Sequence, residues 1–216
     1  MRTLLDIVRS ILSSMNSDDV DRIDETTESM RVAEIVRDTY FELITSRDWP
    51  FMKRPIQFNH SGTPDRPNYL RAPERLIELK SFEYSDTPVR EGEVNYRFVK
   101  YLTNDEFLLM TSSRPSLPRE NTEVVVDPTG VKFVILNNKA PEYWTTFDDD
   151  YIVCDSYNKK NDDALQPHKV RAVGYVMPEW RMVDDFVPEL PTEAFTALLE
   201  EARSTCFFNI KQMVNE

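Results

Sequence analysis

Apolar residues recur at helical spacing near both ends of the chain and in short, turn-bounded runs between them. Leu5, Val8, Ile11 or Leu12, and Met15 predict a short first helix. Asn16 to Asp24 is polar and acidic and reads as a loop. A longer second helix is expected to start between Asp24 and Glu28, where acidic side chains favour the positive end of the helix dipole. Its stripe is Met30, Ala33, Val36, Tyr40, and Leu43 or Ile44, and Pro50 forbids its continuation. Near the other end, Thr192 is placed to cap a last helix with an apolar face of Phe195, Leu198, Leu199, Ala202, Cys206 and Ile210.

From Phe51 to about Trp180 the period changes. Ile56 and Phe58 suggest a strand, followed by the loop from Asn59 to Pro64. Leu76 to Tyr84 and Val94 to Tyr101 are further strands, the second with Val94, Tyr96 and Phe98 on one face. Thr122 to Asp127 and Val131 to Leu136 predict a hairpin. Its turn, Asp127-Pro128-Thr129-Gly130, has Pro second and Gly fourth, as a type I turn prefers. Tyr151 to Tyr157 and Lys169 to Met177 are expected to pair across the polar stretch from Asn158 to Pro167. One helix interrupts the strands. Thr103 and Glu106 form a capping box, and Leu102 and Phe107 a hydrophobic staple, for a helix over about Asn104 to Ser112.

Isolated terminal helices of this length are marginal, so the economical arrangement packs them together. The expected class is therefore α+β: a discontinuous helical subdomain, 1–48 with 188–216, carrying an inserted and mostly antiparallel β-rich domain, 49–187, with one short helix near 104–112.

Composition narrows the function classes. The chain has 4 glycines against 14 prolines, which leaves little material for phosphate-cradling loops. A net charge of −12 disfavours tight binding to a phosphate backbone, which needs clustered Lys and Arg. Cys154 and Cys206 are expected to be free buried thiols in a reducing compartment. Asp6 and Arg9 interrupt the apolar start, which does not read as a secretory signal, and no apolar run approaches a membrane span.

Several groupings invite a chemical reading. Pro64-Asp65 followed by Glu78-Leu79-Lys80 resembles the PD…(D/E)xK pattern of metal-dependent nucleases, in which carboxylates hold a divalent cation and the lysine supports the attacking water. Asp65 lies in a proline-rich loop, so the plainer reading is a charged face on an edge strand. Asp148-Asp149-Asp150 with Asp155 lacks the glycine and terminal Glu of an EF-hand and reads as a solvated loop. His60 and His168 are too few for paired-His zinc motifs, and the two cysteines lack CxxC spacing. A Cys–His nucleophilic pair is arithmetically possible, with buried thiol and loop histidine as the simpler assignment. Trp49, Trp144 and Trp180 are interface anchors or core, with core favoured for Trp49. No residue is assigned a catalytic, cofactor-binding or metal-binding role.

The junctions carry a family resemblance. A two-helix start ending in Ser46-Arg47-Asp48-Trp49-Pro50-Phe51 resembles the helix-then-RxW.F passage of phage head-to-tail adaptors, the tail tubular protein A group. Tyr69-Leu70-Arg71-Ala72-Pro73-Glu74-Arg75-Leu76-Ile77-Glu78-Leu79 is similar to the family's proline-containing turn into a core strand. Val187-Pro188-Glu189-Leu190-Pro191, running on to Leu199, is similar to its lead into the final helix. Trp-Pro-Phe is a variant of the family's usual spacing.

The resemblance implies a non-enzymatic structural protein of a short-tailed phage virion, assembled in the host cytoplasm. Such adaptors form a twelve-membered ring between the portal protein and the tail nozzle, and genomic DNA leaves through the lumen without specific binding. The helical subdomain would contact the portal, and the β region would face neighbouring copies and nozzle. Asp18, Asp19, Asp21 and Asp24 are candidates for an acidic lumen, against plain solvation, and Asn209 to Glu216 for a tail ordered on assembly. The alternatives are another neck or tail ring protein, such as a tail terminator, and a PD-(D/E)xK-like nuclease using Asp65, Glu78 and Lys80.

Overall fold

The computed structural model describes residues 2–61, 63–86, 95–114 and 119–211. The chain divides into two compact units, 1–52 with 178–216, and 53–177. Helices at both ends and strands between them give the α+β class.

The helical unit starts with α1 (Leu4–Ser14), fixed by a capping box. The Asp6 N–H donates to Thr3 Oγ1 at 3.2 Å, and the Thr3 N–H to Asp6 Oδ2 at 3.0 Å. These bonds, the backbone one first, hold the exposed Asp6 carboxyl below its usual range. The buried stripe is Leu4, Ile7, Val8, Ile11 and Leu12, with Met15 beyond it, while Leu5 is only half-buried. Helix α2 (Thr27–Thr45) is capped by Thr26 and Ser29. Its buried face is Val32, Ala33, Val36, Tyr40 and Ile44, and Met30 is 41% exposed rather than in the stripe. The Ser29 hydroxyl, donating to the Ile23 carbonyl at 2.9 Å, turns that neighbouring position inward instead.

Helix α4 (Thr192–Lys211) buries Ala194, Leu198, Ala202 and Cys206. Thr192 is its first helical residue rather than its cap. The Pro191 carbonyl accepts from the N–H groups of Ala194 and Phe195 and begins the helical ladder. Pro178 to Val187, placed by sequence at the end of the β region, belongs to the helical unit. Phe186 is buried there against Trp180, with ring centroids 4.8 Å apart, and Trp180 meets Tyr40 of α2 at 4.9 Å. The carbonyls of Phe186 and Asp184 accept from the N–H groups of Leu4 and Leu5, which otherwise have no helical partner.

The β-rich unit contains β1 (Lys53–Ile56), β2 (Asn59–His60), β3 (Tyr69–Arg71), β4 (Leu76–Tyr84), β5 (Arg97–Phe98) and β6 (Lys100–Tyr101). After α3 (Asn104–Ser112) follow β7 (Thr122–Val126), β8 (Lys132–Leu136), β9 (Tyr143–Thr145), β10 (Tyr151–Cys154) and β11 (Val170–Val176). One sheet has the order β1-β11-β4-β5 and a second β2-β3-β10-β9-β6, while β7 and β8 form a hairpin. All pairs are antiparallel except β6 with β9.

Sequence pattern gave strands but not always partners. The expected pair of β10 and β11 does not form: β10 lies between β3 and β9, and β11 between β1 and β4. The predicted strand from Val94 to Tyr101 is divided between the two sheets, with Val94 outside the described residues. At its midpoint the Val99 N–H donates to the Phe82 carbonyl of one sheet, and the Lys100 N–H to the Glu142 carbonyl beside the other. Val99 is consequently the buried residue, and Phe98 is 64% exposed.

The hairpin turn is closed by the Gly130 N–H donating to the Asp127 carbonyl at 2.8 Å, with Gly130 at φ 88°. Asp127 itself is buried and accepts from the Thr129 N–H, the Thr129 hydroxyl and the Tyr69 hydroxyl. Burial works against its charged form, but these hydrogen bonds prevail and hold the carboxyl below its usual range. A depressed folded-state pKa contributes stability that is present above the unfolded value of about 3.9 and lost as pH falls through the folded one. Asp127→Asn should therefore lower stability at pH 7, and the gap to the parent should narrow below about pH 4 in urea titrations. A gap independent of pH would remove the carboxylate's charge from the explanation.

Gly174 on β11 sits where the register to β4 shifts. A Cβ there would collide with the Glu78 carbonyl oxygen and lie 2.5 Å from Ile56 Cδ1. Gly174→Val should cost about 2 kcal/mol or more by chemical denaturation, since backbone cannot yield as a side chain does. An unchanged midpoint would contradict that packing.

Candidate functional site

The nuclease-like residues do not line one cleft. Glu78 and Lys80 share one face of β4, and the Lys80 ammonium donates to Glu78 Oε1 at 2.6 Å. Asp65 is exposed in the turn before Arg66 and is not among the residues around the cleft that Glu78 and Lys80 line. Among the described residues, no three His, Cys, Asp or Glu side chains gather closely enough to hold a metal ion.

The Asp148–Asp150 run is a turn leading into β10. Asp148 Oδ1 accepts the N–H groups of Asp150 and Tyr151, each at 3.1 Å, so its carboxylate is used by its own backbone. Both histidines are exposed, His60 on β2 and His168 before β11. Both cysteines are free and buried. Burial, the first cause in each, pushes the Cys154 thiol well up and that of Cys206 to about 12, which makes both poor nucleophiles. Trp49 and Trp144 are buried and Trp180 is half-buried. Trp49 donates its indole N–H to the Leu43 carbonyl at 3.2 Å, with the Arg47 guanidinium 3.6 Å from its ring centroid.

The acidic loop before α2 is more anchored than its polarity suggests. Val20 and Ile23 are buried within it, and the Ile23 N–H donates to Asp184 Oδ1 at 2.9 Å. Arg9 donates to the Val20 carbonyl at 2.6 Å and pairs with Asp19 and Asp21 at 3.6 and 2.9 Å. Asp24 meets Arg22 at 2.8 Å, and Asp18 is exposed. Three of the four proposed lumen acids thus have a cation beside them.

Asp155, grouped by sequence with the solvated acids, is instead fully buried. Arg114, just after α3, donates to Asp155 Oδ2 at 2.7 Å and to its carbonyl at 2.6 Å. The N–H groups of Glu142 and Tyr143 donate to Oδ1 at 3.0 and 2.9 Å. The Leu136 N–H completes the group by donating to the Asp155 carbonyl at 3.1 Å. One residue thereby joins α3, β8, β9 and β10. Arg114→Ala should cost about 3–5 kcal/mol in denaturant unfolding, because it leaves a buried carboxylate without its cation. A loss no larger than that of an exposed arginine would refute this role.

A cleft of about 390 Å³ lies in the β-rich unit. Phe82, Trp144 and Ile152 are buried at it, and Ile77, Phe98 and Tyr101 line it with side chains still exposed. The Tyr101 and Trp144 rings meet at 4.8 Å. Glu78, Lys80 and Asp149 supply its charge. Ser81 and Thr146 add hydroxyl groups to the same lining. Of its aromatic members the sequence singles out Trp144, as anchor or core, and places Phe98 only on a face shared with Val94 and Tyr96.

No protein-family model matches the chain, and no curated protein sequence matches it. Among the described residues, no helix is long and apolar enough to cross a membrane.

Proposed function

We propose that this protein is a structural head-to-tail adaptor of a tailed phage virion, one copy of a ring between portal and tail nozzle. The observation that carries the reading is the helical unit built from both ends of the chain. Helices α1, α2 and α4 share one apolar core, and Phe186 joins it from the stretch that leads through Pro188 and Pro191 into α4. The β-rich unit is inserted between the two junctions on which the family resemblance rests.

Charge supports the same reading. A chain of net charge −12 repels DNA phosphates, which suits a conduit through which a genome must slide without sticking. In this role the helical unit contacts the portal, and the β-rich unit meets neighbouring copies and the nozzle.

Electron microscopy of the purified protein mixed with its cognate portal tests the proposal. The expected image is a ring on the tail-side face of the portal. Failure to bind at saturating protein, or a ring only at the far end of a tail tube, would reject the adaptor reading. So would Mg²⁺-dependent DNA cleavage that disappears in Glu78→Ala.

A further inference from the structure

The β7–β8 hairpin is apolar on both faces. Its register sets Val125 opposite Phe133 and Glu123 opposite Ile135 on one side, and Val124 opposite Val134 and Val126 opposite Lys132 on the other. The first side is packed: Val125, Phe133 and Ile135 are buried, and the Tyr157 hydroxyl donates to Glu123 at 2.6 Å. On the second side Val124 is 63% and Val126 42% exposed. The solvated face of an antiparallel pair ordinarily carries polar residues, so an apolar one marks an interaction surface. Lys132 is its charged residue.

The cleft beside β4 is also apolar but carries charge of the opposite sign. It is apolar and aromatic, open at Phe98 and at Ile77, which is 51% exposed, and its charge is two carboxylates, Glu78 and Asp149, against Lys80. The hairpin face and the cleft share no residue.

We propose that the β7–β8 hairpin of one copy seats Val124 and Val126 in the β4 cleft of a second copy, with Lys132 against Glu78 and Asp149. An apolar projection fitting a cleft elsewhere on the same molecule makes a heterologous contact, which each copy can both give and receive. Closure into a ring rests on the adaptor reading, whereas the contact itself does not. A hairpin face buries well under the ~1,000 Å² expected of a stable interface, so single contacts are weak and persist only when repeated around an assembly.

Disulfide trapping reads this contact directly, because both native thiols are buried. The double variant Val124→Cys/Ile77→Cys, oxidised in concentrated solution and again on portal-bound protein, should give a ladder of multimers on a non-reducing gel. Each single variant should stay monomeric, and a mixture of the two should stop at dimers. Adding Lys132→Glu to the double variant should reduce the ladder about tenfold, since it sets an acid against two others. Dimers from Val124→Cys alone would mean hairpin-to-hairpin pairing and overturn the proposal, as would the absence of a ladder under both conditions. Portal binding without a ladder removes this contact and leaves the adaptor reading standing. A ladder without portal binding does the reverse.

Discussion

Asp155 is the residue on which the β-rich unit most depends. Its strands are short, several of only two or three residues, so ladder hydrogen bonds alone fix little of their arrangement. A carboxylate is suited to the junction because one oxygen can serve two backbone donors while the other takes a guanidinium. Asparagine would present one acceptor oxygen and an amide that competes with Arg114 as a donor. Burial raises the stakes, because every donor aimed at Asp155 would be left without a partner in a place water does not reach. The cleft beside β4 inherits this order, since Trp144 lies on β9, one residue beyond Tyr143, whose N–H the carboxylate holds.

The helical unit solves a different problem. Helix α4 lies far along the chain from α1 and α2, so bringing them together carries a loop-closure cost that rises only slowly with length. The stretch from Pro178 to Pro191 helps to offset it. Its carbonyls serve the first N–H groups of α1, Asp184 serves Ile23, and the Glu189 carbonyl accepts from the Tyr40 hydroxyl at 3.1 Å. Trp180 and Phe186 add apolar area to the same joint. The stretch has no regular secondary structure, and Phe186 serves both ways, its ring buried and its carbonyl accepting from Leu4.

Local chemistry was the part most legible in the sequence. The capping box at Thr103 and Glu106 fixed α3 at Asn104–Ser112, and the Asp127–Gly130 turn fixed the hairpin, because both signals lie within a few residues. What failed was information that is not local. Alternation along Val94 to Tyr101 did not reveal a strand that changes sheets at Val99. Nothing near Arg114 or Asp155 announces a pair 41 residues apart. Of the candidate site, Glu78 and Lys80 were placed correctly on one strand face, whereas Asp65 does not line their cleft. One signal was present and unused. Val124-Val125-Val126 is a continuous apolar run, and such a run implies contact on both faces of a strand rather than one.

That run and the overall acidity bear on each other in the proposed ring. Copies of charge −12 repel, but at physiological ionic strength the repulsion fades over about 8 Å. It therefore opposes random encounter more than it opposes a contact already in register. An apolar face with one lysine suits this balance, because its attraction acts only at contact and its charge is of the rarer sign on this chain. Exposed valines on a neutral protein would invite indiscriminate association. On a strongly acidic one they are shielded at long range and usable where a template has already brought neighbours together. In the proposed ring, acidity and the apolar hairpin would act as one device that keeps free copies apart and lets placed copies join.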